Sequence, residues 1–297
     1  MSLLSRLVLS GMALGLLAAC TGGGATPDAT PTAPSSPRPS TSWPAPSALP
    51  PTSSPAPSAT ASAPPAAPTE TPSRSAPPAA KAAPVTGWLA GKDWTYIPTS
   101  RHVVALTFDA GANADAAASI LRTLERANVP ATFFLTGNFV RDFPASARAI
   151  AEAGHRIGDH TITHPYLTQK SDAAVREEIL GAARQITAVT GQNPAPLFRF
   201  PFGDADARTI ALANQAGYVP VRWTVDTLGW EGIAAHISAS VVVSRVLAAA
   251  RPGEIVLMHV GSNPDDQTTF DADALPQVIS GLRARGYSFV TLDALTG

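Results

Sequence analysis

Cysteine and an excess of charge of either sign are the two things that this sequence lacks. Cys20 is the only cysteine among 297 residues, so no disulfide can form within the chain. Lys and Arg number 21 against 22 Asp and Glu, which gives a net charge of −1, and the basic residues form no stripe. Because nucleic-acid binding depends on a basic surface, we expect no nucleic-acid partner.

Large apolar residues are scarce between residues 21 and 84, where Pro, Ala, Ser, Thr and Gly make up almost the whole chain. Such a segment buries too little apolar surface to offset the entropy of ordering. We therefore expect residues 20–84 to be a disordered tether. In polyproline II conformation, at ~3.1 Å per residue, it could reach on the order of 200 Å. The alternative is a passive linker whose length has no function. Residues 85–297 are ordinary globular sequence, long enough for one well-buried domain.

A hydrophobic run long enough to cross a bilayer is also missing near the N-terminus. Arg6 precedes an apolar stretch over residues 7–19, which is too short to span. The stretch ends in LAAC, and a lone cysteine after small residues resembles a bacterial lipoprotein cleavage site. The resemblance implies that residues 1–19 are a signal peptide and that lipid on Cys20 anchors the protein to a membrane. An ordinary signal peptide with an incidental cysteine is the alternative.

Short apolar runs alternate with helical patterns from residue 103 onward. Seven runs are typical of buried strands: 103–108, 131–135, 156–159, 197–200, 218–224, 254–258 and 288–292. Alternation of strand and helix predicts parallel β/α units, and seven units suit a barrel or a barrel that fails to close. In such folds the chemistry gathers at the carboxyl ends of the strands.

Six polar residues stand at those carboxyl ends: Asp109, His160, His164, Arg199, Asp226 and His259. They come from five different strands, and this consistent placement predicts an active site. Two histidines four residues apart can bind one metal ion, although the spacing alone is also compatible with an incidental pair. Zinc suits imidazole with oxygen ligands, and so do other first-row divalent ions such as cobalt, nickel or manganese.

Proton transfer needs a base and an acid, and the same set offers both. Asp109 is the candidate base for a metal-bound water. Arg199 could keep Asp109 ionised, or it could serve only as a structural salt bridge. His259 follows a strictly apolar strand, and as imidazolium it could protonate a leaving amine. Asp226 could accept the other N–H of His259. The alternative is that His259 is only a buried histidine whose hydrogen bonds are satisfied.

Five motifs carry a family resemblance. TFDAG, HTITH, RFPFG, DTLGW and LMH follow one another between Thr107 and His259, and as a set they resemble the polysaccharide deacetylase family, also called NodB-type. The resemblance implies an α/β fold of the distorted (β/α)7 barrel type. It also implies a metal-dependent hydrolase that removes acetyl groups from N-acetylated sugars without a covalent intermediate.

The resemblance assigns a role to each matching residue. Asp109 matches the general base and His259 the general acid. The remaining matches are the base-positioning Arg199, the acid-tuning Asp226, the metal ligands His160 and His164, and the substrate-contacting Phe202, Trp230 and Leu257. Phe202 stands where tyrosine is usual and matches an oxyanion donor through its backbone N–H, while Trp230 and Leu257 match the acetyl pocket.

Two positions depart from the family pattern. Gly229 stands where the family often has an aspartate before the tryptophan. Ala110 stands where the commonest form, TFDDG, has the third metal ligand. We expect a divalent metal, zinc before the others, that is bound more weakly through the two histidines and water, with the gap filled by Asp159, Asn113 or Asp115. Activity with little metal and loss of turnover are the alternatives.

The function expected from this pattern is deacetylation of a cell-envelope glycan by a monomeric, membrane-anchored, extracytoplasmic lipoprotein. Peptidoglycan is the first candidate substrate and a polymer of N-acetylglucosamine the second, ahead of an acetylated plant polymer such as xylan. A glycan-binding protein without turnover and a passive wall spacer are the alternatives.

Overall fold

The computed structural model describes residues 83–297. The expected signal peptide, Cys20 and residues 20–82 of the expected tether lie outside the described residues. Within this part of the chain, no helix is long and apolar enough to cross a bilayer.

Eight strands form one parallel sheet in the described part of the chain. They are β1 (Val103–Ala110), β2 (Thr132–Leu135), β3 (Arg156–Asp159), β4 (Leu197–Phe198), β5 (Val219–Pro220), β6 (Val225–Asp226), β7 (Glu254–His259) and β8 (Ser288–Phe289). The order across the sheet is β5-β4-β3-β2-β1-β7-β6, and β8 pairs with β1.

Eight α-helices surround this sheet in residues 83–297. They are α1 (Ala117–Ala127), α2 (Gly137–Asp142), α3 (Pro144–Glu152), α4 (Asp172–Thr190), α5 (Ala207–Gln215), α6 (Ala239–Ala249), α7 (Phe270–Ala284) and α8 (Asp293–Thr296). Helix α4 shows why the sequence sets these limits. The Ser171 hydroxyl accepts a hydrogen bond from the N–H of Ala174 at its start, and Gly191 ends it at φ 72°, a conformation that glycine adopts without strain.

The segment over residues 218–224 brings the two edges of the sheet close together, so the sheet is curled. We predicted a single strand over residues 218–224, whereas β5 pairs with β4 and β6 pairs with β7, at opposite edges of the sheet. The N–H of Val221 still bonds to Phe198, and the N–H of Thr224 already bonds to Ile255. The segment thus crosses from one edge to the other. The distorted (β/α)7 barrel predicted for this chain is confirmed.

Strand β1 runs through the centre of the fold and is buried along its whole length. Leu106, Phe108 and Ala110 belong to the larger apolar cluster, which packs under the helices. Ala105 belongs to a second cluster, which also contains Ile255 and is formed by side chains on the other face of the sheet. Because successive side chains in a strand alternate between faces, Asp109 shares the face of Ala105.

Candidate active site

A buried ion pair fixes Asp109 at the carboxyl end of β1. Asp109 is 8% exposed, and Nη1 of Arg199 donates to its Oδ1 at 2.7 Å. Arg199 is completely buried, and its other nitrogens donate to the carbonyl oxygens of Val221 at 3.0 Å and Arg222 at 2.9 Å. Its guanidinium carbon also lies 4.1 Å from the centre of the Phe134 ring. Because Arg199 is held on every side, it presents one fixed donor to Asp109.

His160 lies immediately after β3 and faces the same carboxylate. Its Nδ1 is 2.8 Å from the carbonyl oxygen of Arg199, which can only accept, so Nδ1 carries a proton and Nε2 a lone pair. That Nε2 lies 3.3 Å from Oδ2 of Asp109. Burial lowers the pKa of His160 and keeps the ring neutral. Burial alone would raise the pKa of Asp109, but the charged Arg199 guanidinium outweighs it and holds that pKa below its ordinary value.

His164 sits in a tightly turned loop that α4 holds in place. Thr161 and His164 both have left-handed backbones, at φ 69° and 59°. Glu178 of α4 accepts hydrogen bonds from the backbone N–H groups of Ile162 and Thr163, at 2.8 and 2.9 Å. The His160 and His164 rings meet edge to face, with centroids 4.8 Å apart. Burial lowers the pKa of His164 to about 3, so this ring too is neutral.

These two imidazoles fit two ligands of a divalent ion. Both are neutral, they are in contact, and the backbone acceptor on Nδ1 of His160 fixes a lone pair on the nitrogen that faces the site. Across residues 83–297, however, no group of three His, Cys, Asp or Glu side chains is arranged to hold a metal ion. The donor set therefore fits a two-histidine site.

Two of the three residues expected to fill the ligand gap are engaged elsewhere. The third, Asp159, accepts the N–H of Thr161 through Oδ1, while its buried Oδ2 has no hydrogen-bond partner in residues 83–297. Asn113 accepts the N–H of Ser262, and Asp115 accepts the hydroxyl of the same serine. Ala110 is completely buried in the larger apolar cluster and offers no ligand atom.

His259 stands beside Asp109. The two residues are Cα partners in the parallel pair of β1 and β7, so they lie next to each other at the carboxyl ends of these strands. The carboxylate next to the His259 ring belongs to Asp271, whose Oδ2 lies 3.6 Å from Nδ1. Asp226 was expected in this place, but it accepts the N–H of Leu228 at 2.9 Å instead. Burial lowers the pKa of His259, but the carboxylates of Asp271, Asp109 and Asp226 together more than offset this, with Asp271 contributing most, so that the pKa is raised.

Apolar and aromatic side chains border these polar groups. Leu257, which we expected in an acetyl pocket, is buried two residues before His259 on the same face of β7. The Trp230 ring is 45% exposed, and its centroid lies 6.0 Å from that of His259. On the other side, Phe202 is 55% exposed and its ring centroid lies 4.5 Å from that of His164. Phe202 also stacks on Tyr166 at 4.2 Å, so exposed aromatic faces flank the site at both ends.

Three residues of the site were not singled out in the sequence. Asp271 lies in the first turn of α7, outside all five motifs. Glu178 lies in the middle of α4, where an acidic side chain usually faces solvent. Tyr166 follows the second histidine by two positions, and the pattern HPY was the only available signal.

The barrel carries a carboxylate, a pair of imidazoles and a further imidazole at the carboxyl ends of its parallel strands. This arrangement is typical of an α/β-barrel hydrolase. A family model described as polysaccharide deacetylase matches residues 96–221. The chain is 34% identical over 198 residues to a peptidoglycan-N-acetylglucosamine deacetylase of Bacillus cereus, a match that covers 67% of this chain and 70% of the relative. It is 36% identical over 200 residues to a chitooligosaccharide deacetylase of a Bradyrhizobium species, covering 65% of this chain and 90% of the relative.

Among solved structures, a CE4 family pseudoenzyme from Bacillus anthracis matches with a TM-score of 0.60 at 29% identity, and the match covers 68% of each chain. These similarities show that the chain belongs to the polysaccharide deacetylase family. The family predicted from the five motifs is confirmed, and its relatives support the predicted class of enzyme, a deacetylase.

Proposed function

We propose that this protein removes N-acetyl groups from a cell-envelope glycan, either peptidoglycan or a polymer of N-acetylglucosamine. The observation that carries the proposal is the β1–β7 register, which sets Asp109 and His259 side by side at one sheet edge. Amide hydrolysis needs a base for the water and an acid for the leaving amine, and this pair supplies both. The similarity to peptidoglycan and chitooligosaccharide deacetylases supports these two substrates.

The positions of these side chains support the following reaction. Asp109 takes a proton from a water molecule as the water oxygen bonds to the acetyl carbon. The C–N bond then breaks as His259 gives a proton from Nε2 to the leaving nitrogen, which releases acetate and a free amine. Leu257 and Trp230 enclose the acetyl methyl group, and the backbone N–H of Phe202 donates to the oxygen that becomes negative.

His160 and His164 would hold a divalent ion, for which zinc is the first candidate and cobalt, nickel or manganese are alternatives. Such an ion, when bound, would polarise the acetyl carbonyl and lower the pKa of a coordinated water. Because Ala110 supplies no third ligand, we expect the affinity for the ion to be low.

We further infer that the protein acts outside the cytoplasm as a monomer. In this proposal residues 1–19 direct export, lipid on Cys20 anchors the chain in a membrane, residues 20–84 form a tether, and residues 85–297 form the catalytic domain. The relatives that act on peptidoglycan, a wall polymer, support this location.

Acetate release tests the activity. The purified protein is incubated with peptidoglycan and with N-acetylglucosamine oligomers in the presence of each defined metal. Asp109→Asn and His259→Ala should each lower the rate by about 10²-fold or more, the usual contribution of one general acid or base. The exposed Asp265→Asn and His102→Ala are matched controls that should keep the wild-type rate. Equal rates in wild type and in both site variants would overturn the proposal.

A glycan-binding protein without turnover is the second candidate. It is favoured by the lack of a three-ligand group in residues 83–297 and by the similar fold of a pseudoenzyme. This candidate predicts no acetate release with any metal. It also predicts a glycan affinity, measured by calorimetry, that survives Asp109→Asn and His259→Ala. A passive wall spacer would show neither turnover nor affinity.

A further inference from the structure

The imidazole of His259 has one nitrogen that no hydrogen bond accounts for. Its Nδ1 is buried and has no hydrogen-bond partner among the described residues. The nearest carboxylate oxygen is Oδ2 of Asp271, at 3.6 Å. A small rotation of the ring would turn this separation into a charge-assisted hydrogen bond, a bond that is strongest when His259 is protonated.

Asp271 is held where it can accept that bond. It is buried in the first turn of α7, and its Oδ1 accepts the hydroxyl of Thr227 at 2.6 Å. Its Oδ2 accepts the backbone N–H of His259 itself at 2.8 Å. A carboxylate offers about four acceptor positions, so Oδ2 retains one for Nδ1. The Asp271 carboxylate is therefore held against β7 by two hydrogen bonds, and its Oδ2 can still accept a third from Nδ1 of His259.

Gly229 explains why the carboxylate comes from α7. A Cβ built on Gly229 would stand 2.5 Å from Cγ of Asp271 and closer still to its Oδ1. The backbone of Gly229 lies outside the left-handed region, and the three atoms nearest to such a Cβ all belong to Asp271. Residues 229 and 271 thus compete for one place beside His259, and only one of them can fill it.

We propose that Asp271 is the positioning residue of His259, and that it supplies from α7 the carboxylate for which Gly229 leaves room. The proposal rests on the proposed function, in which His259 is the general acid. Asp271 would hold the Nδ1 proton and so aim the Nε2 proton at the leaving nitrogen. After the transfer His259 is left neutral, with its proton on Nδ1 toward Asp271.

Other charged groups also face His259 from the elements around it. Asp109 of β1 and Asp226 of β6 favour its protonated form, whereas His160 and His164 lie across the site from it. Asp271 is the largest of the contributions that raise the pKa of His259, ahead of Asp109 and Asp226. The variants of the test therefore compare Asp271 with Asp226.

The pH dependence of kcat/KM for acetate release is the first readout. The rate should fall at high pH as His259 loses its proton. Asp271→Asn should lower kcat about 10- to 100-fold, as loss of an orienting partner typically does, and move this alkaline limb down by about one pH unit. Asp226→Asn should move it less. Unchanged kcat and an unmoved limb in Asp271→Asn would overturn the proposal, and so would reduced kcat with an unmoved limb, because a merely structural residue would give that result.

An exchange of positions provides a second readout. Gly229→Asp alone should lower activity because two carboxylates would share one place. Gly229→Asp combined with Asp271→Ala should recover at least about tenfold over Asp271→Ala alone, because the carboxylate returns from the other side. A double variant that is folded, by circular dichroism, and no more active than Asp271→Ala would contradict the proposal.

If the wild-type protein releases no acetate, the proposed function fails and Asp271 is still testable. The His259 ring is then titrated by NMR in the full chain, with His259→Gln used to assign its signal. The proposal expects a lower His259 pKa in Asp271→Asn than in the wild type, and the same pKa in both would overturn it.

Discussion

Glu254 is a buried acid for which the fold provides no partner, and its removal should stabilise the protein above neutral pH. It begins β7, at the end of the barrel opposite the active site, and is completely buried. Both of its carboxylate oxygens are without hydrogen-bond partners in residues 83–297. Burial raises its pKa from the ordinary 4.5 to about 7, despite some opposition from Arg251 and Arg285.

The sign and size of the effect follow from linkage. An acid whose pKa is raised by folding contributes its full stability below its unfolded pKa, and this stability is lost as the pH rises through about 7. At ~1.36 kcal/mol per pH unit of displacement, the loss by pH 8 is at most about 3 kcal/mol. Glu254→Gln removes the titration, so it should be more stable than wild type at pH 8 by up to that amount, or ~6–12 °C in Tm, and gain little at pH 4.5.

Urea unfolding at pH 4.5, 6 and 8, followed by tryptophan fluorescence, measures this difference. Other groups also titrate over this range, but they are common to both proteins and cancel when the two are subtracted. Glu125→Gln, at an exposed position on α1, is the matched control and should follow the wild type at each pH. If the free energy of unfolding changed with pH in the same way in wild type and in Glu254→Gln, the reasoning would be refuted, because Glu254 would then be solvated or paired in the folded protein.

Two further predictions concern the site. Arg199→Met should destabilise the fold by about 3–5 kcal/mol in urea unfolding, because it leaves the buried Asp109 without its charge partner. It should also abolish acetate release. Unchanged stability would show that the ion pair is not formed. Tyr166→Ala should raise KM for N-acetylglucosamine oligomers by up to about tenfold, because it removes an exposed ring worth ~1 kcal/mol in stacking, and should leave kcat nearly unchanged. Tyr96→Ala, an exposed tyrosine outside the site, is the control, and an equal KM in both variants would contradict a role for the aromatic face.

The sequence predicted the parts of this protein that depend on local pattern. The apolar runs located β1, β2, β3 and β7 to within two residues, because a buried strand needs a continuous apolar stretch whatever its partners are. It could not show that the run over 218–224 divides between two sheet edges. That division is decided by pairing with β4 and β7, which are distant in the chain.

The residues of the site likewise divide into those that the motifs predicted and those that depend on tertiary packing. Motif spacing brought Asp109, His160 and His259 together, because each stands at the end of a strand and parallel strands end at one edge. Asp271 enters the site only because the first turn of α7 lies against the end of β7, and the motifs had led us to expect Asp226 in that place. The vacancy at Gly229 was visible as a missing aspartate, but only the structure shows which side chain occupies the space.

The consequence of Ala110 is the remaining question, and Ala110→Asp addresses it. Ala110 now packs with Phe108 in the larger apolar cluster, whereas His160 faces Asp109, whose side chain lies on the other face of β1. A carboxylate at this position has a strong reason to leave the cluster, since an uncompensated charge there would cost several kcal/mol. Gly111 follows directly and allows the chain end to turn.

We therefore expect Ala110→Asp to complete a three-ligand site with His160 and His164. Its zinc affinity by calorimetry should rise at least about 100-fold, because even partners outside the ligand shell change affinity by about 10- to 100-fold. Ala110→Asn has the same size without the charge and should gain far less. Equal zinc affinities in wild type and both variants, with both variants destabilised, would mean that residue 110 stays in the apolar cluster and that the two-histidine site is the whole of the metal site.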